Sequence, residues 1–226
     1  MNRYILALRL LWRDTRSGDL TILILALTIA VTSSTAITVF SDRLQLTLTN
    51  QTADFLAGDL VISSTSFISH EWLDKATKLT QRQAHTIEFP SVLIEHDELL
   101  LASIKAVSLA YPLRGYLKTT TNHYSNEIKA HSGPEHGTTW IEERILSALK
   151  LKLGDPLTVG EKQLIITHII TYEPDKKSDF YSFSPRVMIN ESDLQATKVI
   201  QPGSHVHYFF QFSGSTKALS EFKLWL

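Results

Sequence analysis

The histidines are the residues of this sequence with the widest range of possible chemistry, because the chain has nine histidines and no cysteine. His70 and Glu71 begin like the zinc-protease motif H-E-x-x-H, in which two histidines one helical turn apart bind the metal. Position 74 is Asp74, so the second histidine ligand is missing. The sequence therefore does not predict a zinc protease.

Two further groups of histidines have spacings that could bring ligands together. His131 and His136 flank Glu135 in a loop that contains Gly and Pro, while His205 and His207 fall on one face of an expected strand. A protein metal site needs three or four converging ligands, and neither group has a third partner at a suitable spacing. We expect solvated surface histidines and no bound metal.

Nucleophile patterns are equally sparse. The loose Ser-x-x-Lys pattern of some acyl-transfer enzymes occurs at 147–150 and again at 220–223, in both cases without its companion motifs. There is no G-x-S-x-G, Walker loop or G-x-G-x-x-G. Tyr111, Tyr116 and Trp140 are interpreted as core residues rather than a ligand cage. The sequence thus predicts no catalytic residue, no cofactor-binding residue and no cofactor.

The composition narrows the functional classes further. The formal net charge is −1, which gives neither a basic surface for nucleic acid nor an acidic tail for basic partners. The absence of cysteine excludes disulfides, thiolate zinc sites and cysteine nucleophiles.

The uncharged segment 20–40 predicts a membrane span. At about 1.5 Å of rise per residue it forms a helix of about 31 Å, which matches a hydrocarbon core of roughly 30 Å. Hydroxyl side chains are frequent in it, and they favour contacts with other membrane helices, although a lone anchor is the alternative. These residues are Thr21, Thr28, Thr32, Ser33, Ser34, Thr35 and Thr38.

The flanks of the span predict its orientation. Of the nearby basic residues, only Arg43 follows the span closely, and the others precede it: Arg3, Arg9, Arg13 and Arg16. Basic residues on short flanks tend to stay in the cytoplasm. We therefore expect a cytoplasmic N-terminus, an inner-membrane location and residues 41–226 in the periplasm.

A cleaved signal peptide is the alternative to a permanent span. Ser34, Thr35 and Ala36 offer small residues to a signal peptidase. Against this, the segment 1–19 is long and contains Asp14 and Asp19, and the apolar stretch exceeds the usual ~7 to 15 residues.

Two segments flanking the span have helical periodicity. In 1–19, apolar residues repeat on one face and arginines on another, which predicts an amphipathic helix on the membrane surface that Ser17-Gly18-Asp19 interrupts. In 41–57, Leu44 and Leu48 continue an apolar stripe towards Phe55 or Leu56, which predicts a stalk helix that reaches Ala57 and ends at Gly58.

The region 58–226 predicts an α+β domain, because strand-like and helix-like stretches alternate without a linker. A turn at Glu95–Glu98 separates two expected strands, and a helix is expected in Thr216–Leu226. Thr119–Gly137 and Glu173–Ser184 are expected to be long polar loops. We interpret the apolar C-terminal residues as a truncation before a second membrane span. The expected elements are strands at 60–64, 86–96, 99–107, 140–141, 186–189 and 205–212, helices at 71–79 and 142–149, and a hairpin at Gly160-Glu161.

The ordered motifs of the chain resemble an FtsX-like (MacB-type) ABC transporter permease, in its large subfamily associated with lysophospholipase or thioesterase partners. Each motif is weak, but their order and spacing are jointly specific, and the resemblance covers nearly the whole chain. The motifs are Trp12-Arg13, Arg16 to Leu20, Asp42-Arg43-Leu44, Gly58 to Ser64, Tyr111 to Gly115, Leu153 to Gly160, Pro185 to Asn190 and Gln201 to Ser204.

The resemblance implies a non-enzymatic subunit with a MacB-type periplasmic domain. It implies a separate cytoplasmic ATPase, further membrane helices of the permease, a periplasmic partner protein, and export or extraction of hydrophobic compounds. This part alone is not expected to bind the ATPase. Two other classes stay open: a single-pass sensor or adaptor with a ligand pocket in its periplasmic domain, and a membrane-tethered hydrolase.

Overall fold

The computed structural model describes residues 18–121, 126–176 and 184–226. The chain divides into two compact units, Met1–Asn50 and Gln51–Leu226. The amphipathic helix expected in 1–19 lies almost entirely outside the described residues.

Helix α1 (Gly18–Phe55) contains the expected membrane span. Within it, Thr21–Gln45 is long and apolar enough to cross a membrane. Three of the hydroxyl groups bond to the helix itself: Thr28 Oγ1 donates to the carbonyl oxygen of Ile24 at 2.7 Å, Thr35 Oγ1 to that of Val31 at 2.8 Å and Thr38 Oγ1 to that of Ser34 at 3.0 Å. These bonds satisfy the three hydroxyls without water, which is compatible with a hydrocarbon environment.

The helix ends two residues earlier than the sequence predicts, at Phe55 instead of Ala57. Ala57 adopts a left-handed conformation with φ +53°, and its carbonyl oxygen accepts from the backbone N–H groups of Leu113 (3.0 Å) and Arg114 (3.2 Å). These bonds hold Ala57 in the left-handed conformation, one residue before the glycine at which the sequence places the end of the helix. A Cβ at Gly58 would lie 3.1 Å from Gln211 Cβ, so a larger residue there would require Gln211 to shift by a few tenths of an ångström.

Unit Gln51–Leu226 is built on a mixed sheet. In the described part of the chain it has ten strands. They are β1 (Leu60–Ser64), β2 (Arg82–Glu95), β3 (Glu98–Val107), β4 (Leu117–Thr120), β5 (Ile128–Ala130), β6 (Thr138–Ile141), β7 (Pro156–Val159), β8 (Lys162–Tyr172), β9 (Arg186–Asn190) and β10 (His207–Ser213).

The strand order is β1-β10-β2-β3-β9-β6-β8-β4-β5, and β7 pairs with β8. Among the ten described strands, only the β3–β9 and β6–β8 pairs are parallel. Side chains alternate between the two faces along each strand, so the register decides which residues share a face.

The described residues of this unit also form four shorter helices: α2 (His70–Leu79), α3 (Glu143–Leu149), α4 (Glu191–Thr197) and α5 (Thr216–Trp225). On one face of the sheet, Phe212 of β10 packs against Phe222 of α5 and Ile104 of β3 against Ile145 of α3 in continuous apolar clusters. The opposite face carries a smaller apolar cluster that includes Ala57, Tyr111 and Trp140. The predicted α+β class is confirmed.

Most expected elements are present, with boundaries shifted by a few residues, and the exceptions are local. The region Thr119–Gly137, expected to be a loop, contains the end of β4 and all of β5. Helix α4 was not expected, and it begins where Asn190 caps it by accepting from the Ser192 N–H at 2.9 Å. These elements are short, so their own sequence pattern is weak and tertiary contacts decide them.

Candidate functional site

A fully buried lysine lies at the centre of the most unusual arrangement of side chains in the described residues. Lys105 of β3 has no exposed side-chain surface. Its Nζ donates to Glu173 Oε1 at 2.6 Å, to Asp175 Oδ1 at 2.7 Å and to Tyr111 Oη at 3.0 Å. Lysine is almost never buried without ionic partners, and here it has two carboxylates and a phenol.

Arg186 of β9 adds a second cation. Its Nε donates to Glu173 Oε2 at 3.0 Å, and its Nη1 donates to Ser103 Oγ at 2.8 Å and to Glu88 Oε2 at 3.3 Å. Glu88 also lies 3.4 Å from Lys105 Nζ. We call these six residues the charge cluster: Glu88, Lys105, Tyr111, Glu173, Asp175 and Arg186.

The strand registers bring the cluster together. Glu88 of β2 is the cross-strand partner of Lys105, and Ser103, two residues from Lys105 on the same face, is the partner of Arg186. Glu173 follows the end of β8, and Asp175 lies two residues beyond it. Tyr111 follows β3 and precedes Pro112 in a cis peptide bond. Three adjacent strands and two connections therefore meet at one buried point.

Burial and opposite charge act against each other in setting the pKa values. Burial alone would lower the pKa of Lys105, but Asp175 and Glu173 outweigh it and hold that pKa well above its ordinary value. Burial would raise the pKa of Glu173, but Lys105 and Arg186 lower it to about 2. For Asp175 burial dominates, and its pKa is raised.

This electrostatic state favours a structural role for the cluster over a catalytic one. A lysine with a raised pKa stays protonated and cannot act as a nucleophile or general base. Burial and the neighbouring Asp175 likewise raise the pKa of Tyr111 well above its ordinary value, so its hydroxyl stays protonated and donates to Asp175 Oδ1 at 2.5 Å. The cluster holds the segments after β3 and β8 against the sheet.

A cavity of about 190 Å³ adjoins the charge cluster. Both apolar and polar side chains line it: Phe55, Leu56, Val61, Glu88, Pro174, Asp175, Lys176, Phe209 and Gln211. It is smaller than the roughly 300 to 1,000 Å³ of pockets for drug-sized ligands, so it does not have room for a nucleotide cofactor.

His131, His136, His205 and His207 belong neither to the charge cluster nor to the lining of the adjoining cavity. His131, His136 and His205 are exposed, as expected for surface histidines. The Nε2 atoms of His205 and His207 lie 3.2 Å apart, and His136 Nδ1 lies 2.8 Å from Asp193 Oδ1. Nowhere in residues 18–121, 126–176 and 184–226 do three His, Asp or Glu side chains form a metal-binding group.

The other candidates are also separate from one another. Ser147 and Lys150 are both exposed, and Lys150 Nζ donates to Glu98 Oε1 at 2.7 Å. Tyr111 and Trp140 are buried, as expected for core residues, whereas Tyr116 is half-buried. Sequence reasoning missed the polar role of Tyr111.

Sequence reasoning also missed Lys105, Glu173, Asp175 and Arg186. A signal was present for Lys105, since it interrupts the apolar strand around Ile104 and Ala106, where a charge predicts a buried ionic partner. The partners themselves gave no signal. Glu173 and Asp175 lie in the segment expected to be a polar loop, 68 and 70 residues along the chain from Lys105.

Comparison with known proteins relates the chain to one curated protein. It is 32% identical over 218 residues to the uncharacterized ABC transporter permease YbbP of Escherichia coli K12, an alignment that covers 96% of this chain and 26% of that protein. The chain is similar in sequence to an ABC transporter permease. This confirms the resemblance to such permeases expected from the motifs. The chain spans about a quarter of that permease's length.

No protein-family model matches the chain. Among solved structures, it is similar to the extracellular domain of the noncanonical ABC-type transporter YknZ from Gram-positive bacteria, with a TM-score of 0.45 and 10% identity over 72% of this chain and 88% of that one. It is also similar to the periplasmic region of MacB from Actinobacillus actinomycetemcomitans, with a TM-score of 0.46 and 11% identity over 73% of this chain and 80% of that one.

Proposed function

We propose that this chain is a portion of the membrane-spanning permease subunit of an FtsX/MacB-type ABC transporter. In this proposal a separate cytoplasmic ATPase hydrolyses ATP, and the permease passes the resulting movement to its periplasmic domain for export or extraction of hydrophobic compounds. The observation that carries the proposal is the similarity to the permease YbbP over 96% of this chain.

Helix α1 supports a mechanical role. It is uninterrupted from Gly18 to Phe55, so no Gly/Ser linker follows the expected span. A continuous helix transmits displacement, whereas a flexible linker absorbs it. The charge cluster supports the same role, since buried ion pairs fix the connections of the domain in one arrangement.

The chain is proposed to be non-enzymatic itself. The described residues that resemble catalytic motifs lie apart, and the buried ionisable groups have pKa values that keep Lys105 and Tyr111 protonated. In this proposal all ATP chemistry belongs to the partner ATPase.

A topology reporter tests the proposed orientation. An enzyme that is active only outside the cytoplasm, fused after Leu226, is expected to be active, and a matched fusion before Met1 is expected to be inactive. The reverse pattern would contradict the cytoplasmic N-terminus. Release of the fusion protein from the membrane would indicate cleavage near Ala36.

Retention of an ABC-type ATPase tests the proposed coupling. The chain alone is expected not to retain the ATPase, whereas the chain joined in frame to the rest of a YbbP-type permease is expected to retain it on co-purification. The reporter fusion confirms membrane insertion of both proteins. If the joined protein is inserted and does not retain the ATPase, the proposed coupling is wrong.

A single-pass membrane-anchored sensor or adaptor is the second candidate. The cavity beside the charge cluster favours it, because apolar and polar side chains share one lining. A sensor of this kind self-associates through its span, so cross-linking of the chain to itself in membranes, with no ATPase retained by the joined protein, would favour this candidate.

A further inference from the structure

The cavity beside the charge cluster has the size and the walls for a small apolar group. Most of its accessible lining is apolar, and its volume is about 190 Å³. An apolar cavity of about 150 Å³ is enough to bind benzene, so this cavity has room for about seven or eight non-hydrogen atoms. Its apolar wall is formed by Phe55, Leu56, Val61, Pro174 and Phe209.

The two carboxylates that line the cavity are already paired within the protein. Glu88 lies 3.3 Å from Arg186 Nη1 and 3.4 Å from Lys105 Nζ. Asp175 Oδ1 accepts from Lys105 Nζ at 2.7 Å and from Tyr111 Oη at 2.5 Å. A cationic ligand would have to compete with the cations of the protein, and an anionic ligand would meet two like charges.

The other polar side chains of the lining are committed to protein contacts as well. Lys176 Nζ is paired with Glu142, a carboxylate that it shares with Arg144. Gln211 Nε2 donates to Thr86 Oγ1 at 3.3 Å, and Gln211 Oε1 has no surface that a ligand could touch. A polar ligand would therefore lose its hydrogen bonds to water without gaining equivalent bonds from these side chains.

An uncharged apolar group avoids this cost, because it has no polar atom to desolvate. Water that enters the cavity meets an apolar wall and polar side chains that already have protein partners, so it is held weakly. Displacing weakly held water by an apolar group increases affinity. The arrangement therefore favours a hydrocarbon group over a polar or charged group of the same size.

We propose that this cavity binds an uncharged apolar group of about eight non-hydrogen atoms, such as one end of a hydrophobic compound. Phe55, Leu56 and Phe209 supply most of the contact surface. This inference deepens the proposed function, on which it rests for the source of the compound. The binding itself needs neither the ATPase nor a given orientation of the chain.

Three probes with equal numbers of non-hydrogen atoms test the proposal at pH 7: ethylbenzene, benzyl alcohol and benzylamine. They differ at one end, which is a methyl, a hydroxyl or an ammonium group. Each is titrated into the full chain in nanodiscs while NMR follows the methyl groups of Leu56 and Val61. Titrations of empty nanodiscs give the fraction of each probe that partitions into lipid, and hence its free concentration.

The expected result is an order of affinities. Ethylbenzene is expected to give saturable shifts of the Leu56 and Val61 methyl signals, benzyl alcohol to bind at least tenfold more weakly, and benzylamine to give no saturable shift. Absence of a saturable shift with ethylbenzene would overturn the proposal. Binding of benzyl alcohol or benzylamine as tight as that of ethylbenzene would overturn it too.

Substitutions locate the site. Val61→Phe fills the cavity from edge strand β1 and is expected to weaken ethylbenzene binding, followed at Leu56, at least tenfold. Val92→Phe is the matched control, since Val92 is a strand valine that is 53% exposed and does not line the cavity, and it is expected to leave the affinity unchanged. If Val61→Phe fails to fold, Phe55→Ala replaces it. Phe55 is 61% exposed, so its truncation removes part of the wall and little core packing, and at least threefold weaker binding is expected.

Wild-type affinity in both Val61→Phe and Phe55→Ala would place the binding elsewhere and contradict the proposal. Because the titration involves neither an ATPase nor the topology of the chain, its failure leaves the permease proposal standing. Failure of the retention experiment, in contrast, would remove transport as the source of the compound and leave the measured binding intact.

Discussion

Lys105 Nζ lies 2.6 Å from Glu173 Oε1, and the two side chains are 0% and 1% exposed. This pair joins a central strand to the segment after β8, and Arg186 secures the other oxygen of the same carboxylate. Each ion has lost its water, so each depends on the other for its stabilisation.

The first prediction concerns loss of that lysine. Lys105→Met keeps a long side chain but leaves Glu173 and Asp175 buried with one cation fewer. Breaking a buried pair by removing one partner costs about 3 to 5 kcal/mol, so we expect a decrease of that order in the free energy of unfolding. Urea titration of the full chain in nanodiscs, followed by tryptophan fluorescence, measures it.

Lys150→Met is the control for that substitution. Lys150 is also paired with a carboxylate, Glu98, but both side chains are largely exposed. We expect an unfolding free energy equal to that of the wild type within error. If the two variants lose equal stability, burial is not what makes Lys105 important.

The second prediction concerns pH. Burial would raise the pKa of Glu173, but Lys105 and Arg186 lower it to about 2, compared with about 4.3 in an unfolded chain. A carboxyl whose pKa is lowered by folding stabilises the protein above the unfolded pKa. That stabilisation is lost as the pH falls from about 4.3 towards 2.

The comparison of wild type with Glu173→Gln isolates this effect. The wild type is expected to be the more stable by about 3 kcal/mol above pH ~5, and the difference is expected to shrink steadily towards pH 2. The raised pKa of Asp175 changes the free energy of unfolding with pH in the opposite direction, but Asp175 is present in both proteins. A difference that does not depend on pH would contradict the assigned pKa of Glu173.

Repeating local patterns in the sequence predicted most helices and strands. The charge cluster, in contrast, is formed by strand register and by contacts between residues far apart along the chain. The span and the hairpin strands were predictable because each repeats a pattern over many residues, whereas β5 (Ile128–Ala130) is too short to repeat one. Lys105 was recognisable as a charge in an apolar strand, but nothing local connects it to Glu173. Only the pairing of β3 with β9 and the path of the chain after β8 bring the partners together.

The end of helix α1 illustrates a similar limit. The sequence predicted a helix that reaches Ala57 and ends at Gly58, because glycine commonly follows the last residue of a helix. In the structure Ala57 has the left-handed conformation, and its carbonyl oxygen accepts from Leu113 and Arg114. Tertiary hydrogen bonds thus overrode a preference of the local backbone, and no pattern within 41–57 could reveal them.

The third prediction concerns the turn between β2 and β3. His96 and Asp97 both have positive φ, +50° and +64°, as a two-residue type I′ turn requires. Asn-Gly is the preferred pair in such turns, so the double substitution His96→Asn, Asp97→Gly is expected to increase the free energy of unfolding by about 1 kcal/mol. The same urea titration measures it. No gain, or a loss, would indicate that the turn has another conformation in solution.

The fourth prediction uses two glycines that both have positive φ and have different surroundings. Gly160 (φ +61°) and Gly203 (φ +93°) both have conformations that a Cβ disfavours. A Cβ at Gly160 would also lie 2.1 Å from the carbonyl oxygen of Thr197, whereas one at Gly203 would have no atom within 4 Å among the described residues. Gly203→Ala is therefore expected to lower the free energy of unfolding by the backbone strain alone, about 1 to 2 kcal/mol. Gly160→Ala must also displace the backbone after α4 and is expected to destabilise the chain clearly more, as measured by urea titration of both variants. Equal losses would mean that the hairpin at Gly160 and the end of α4 are not in contact in solution.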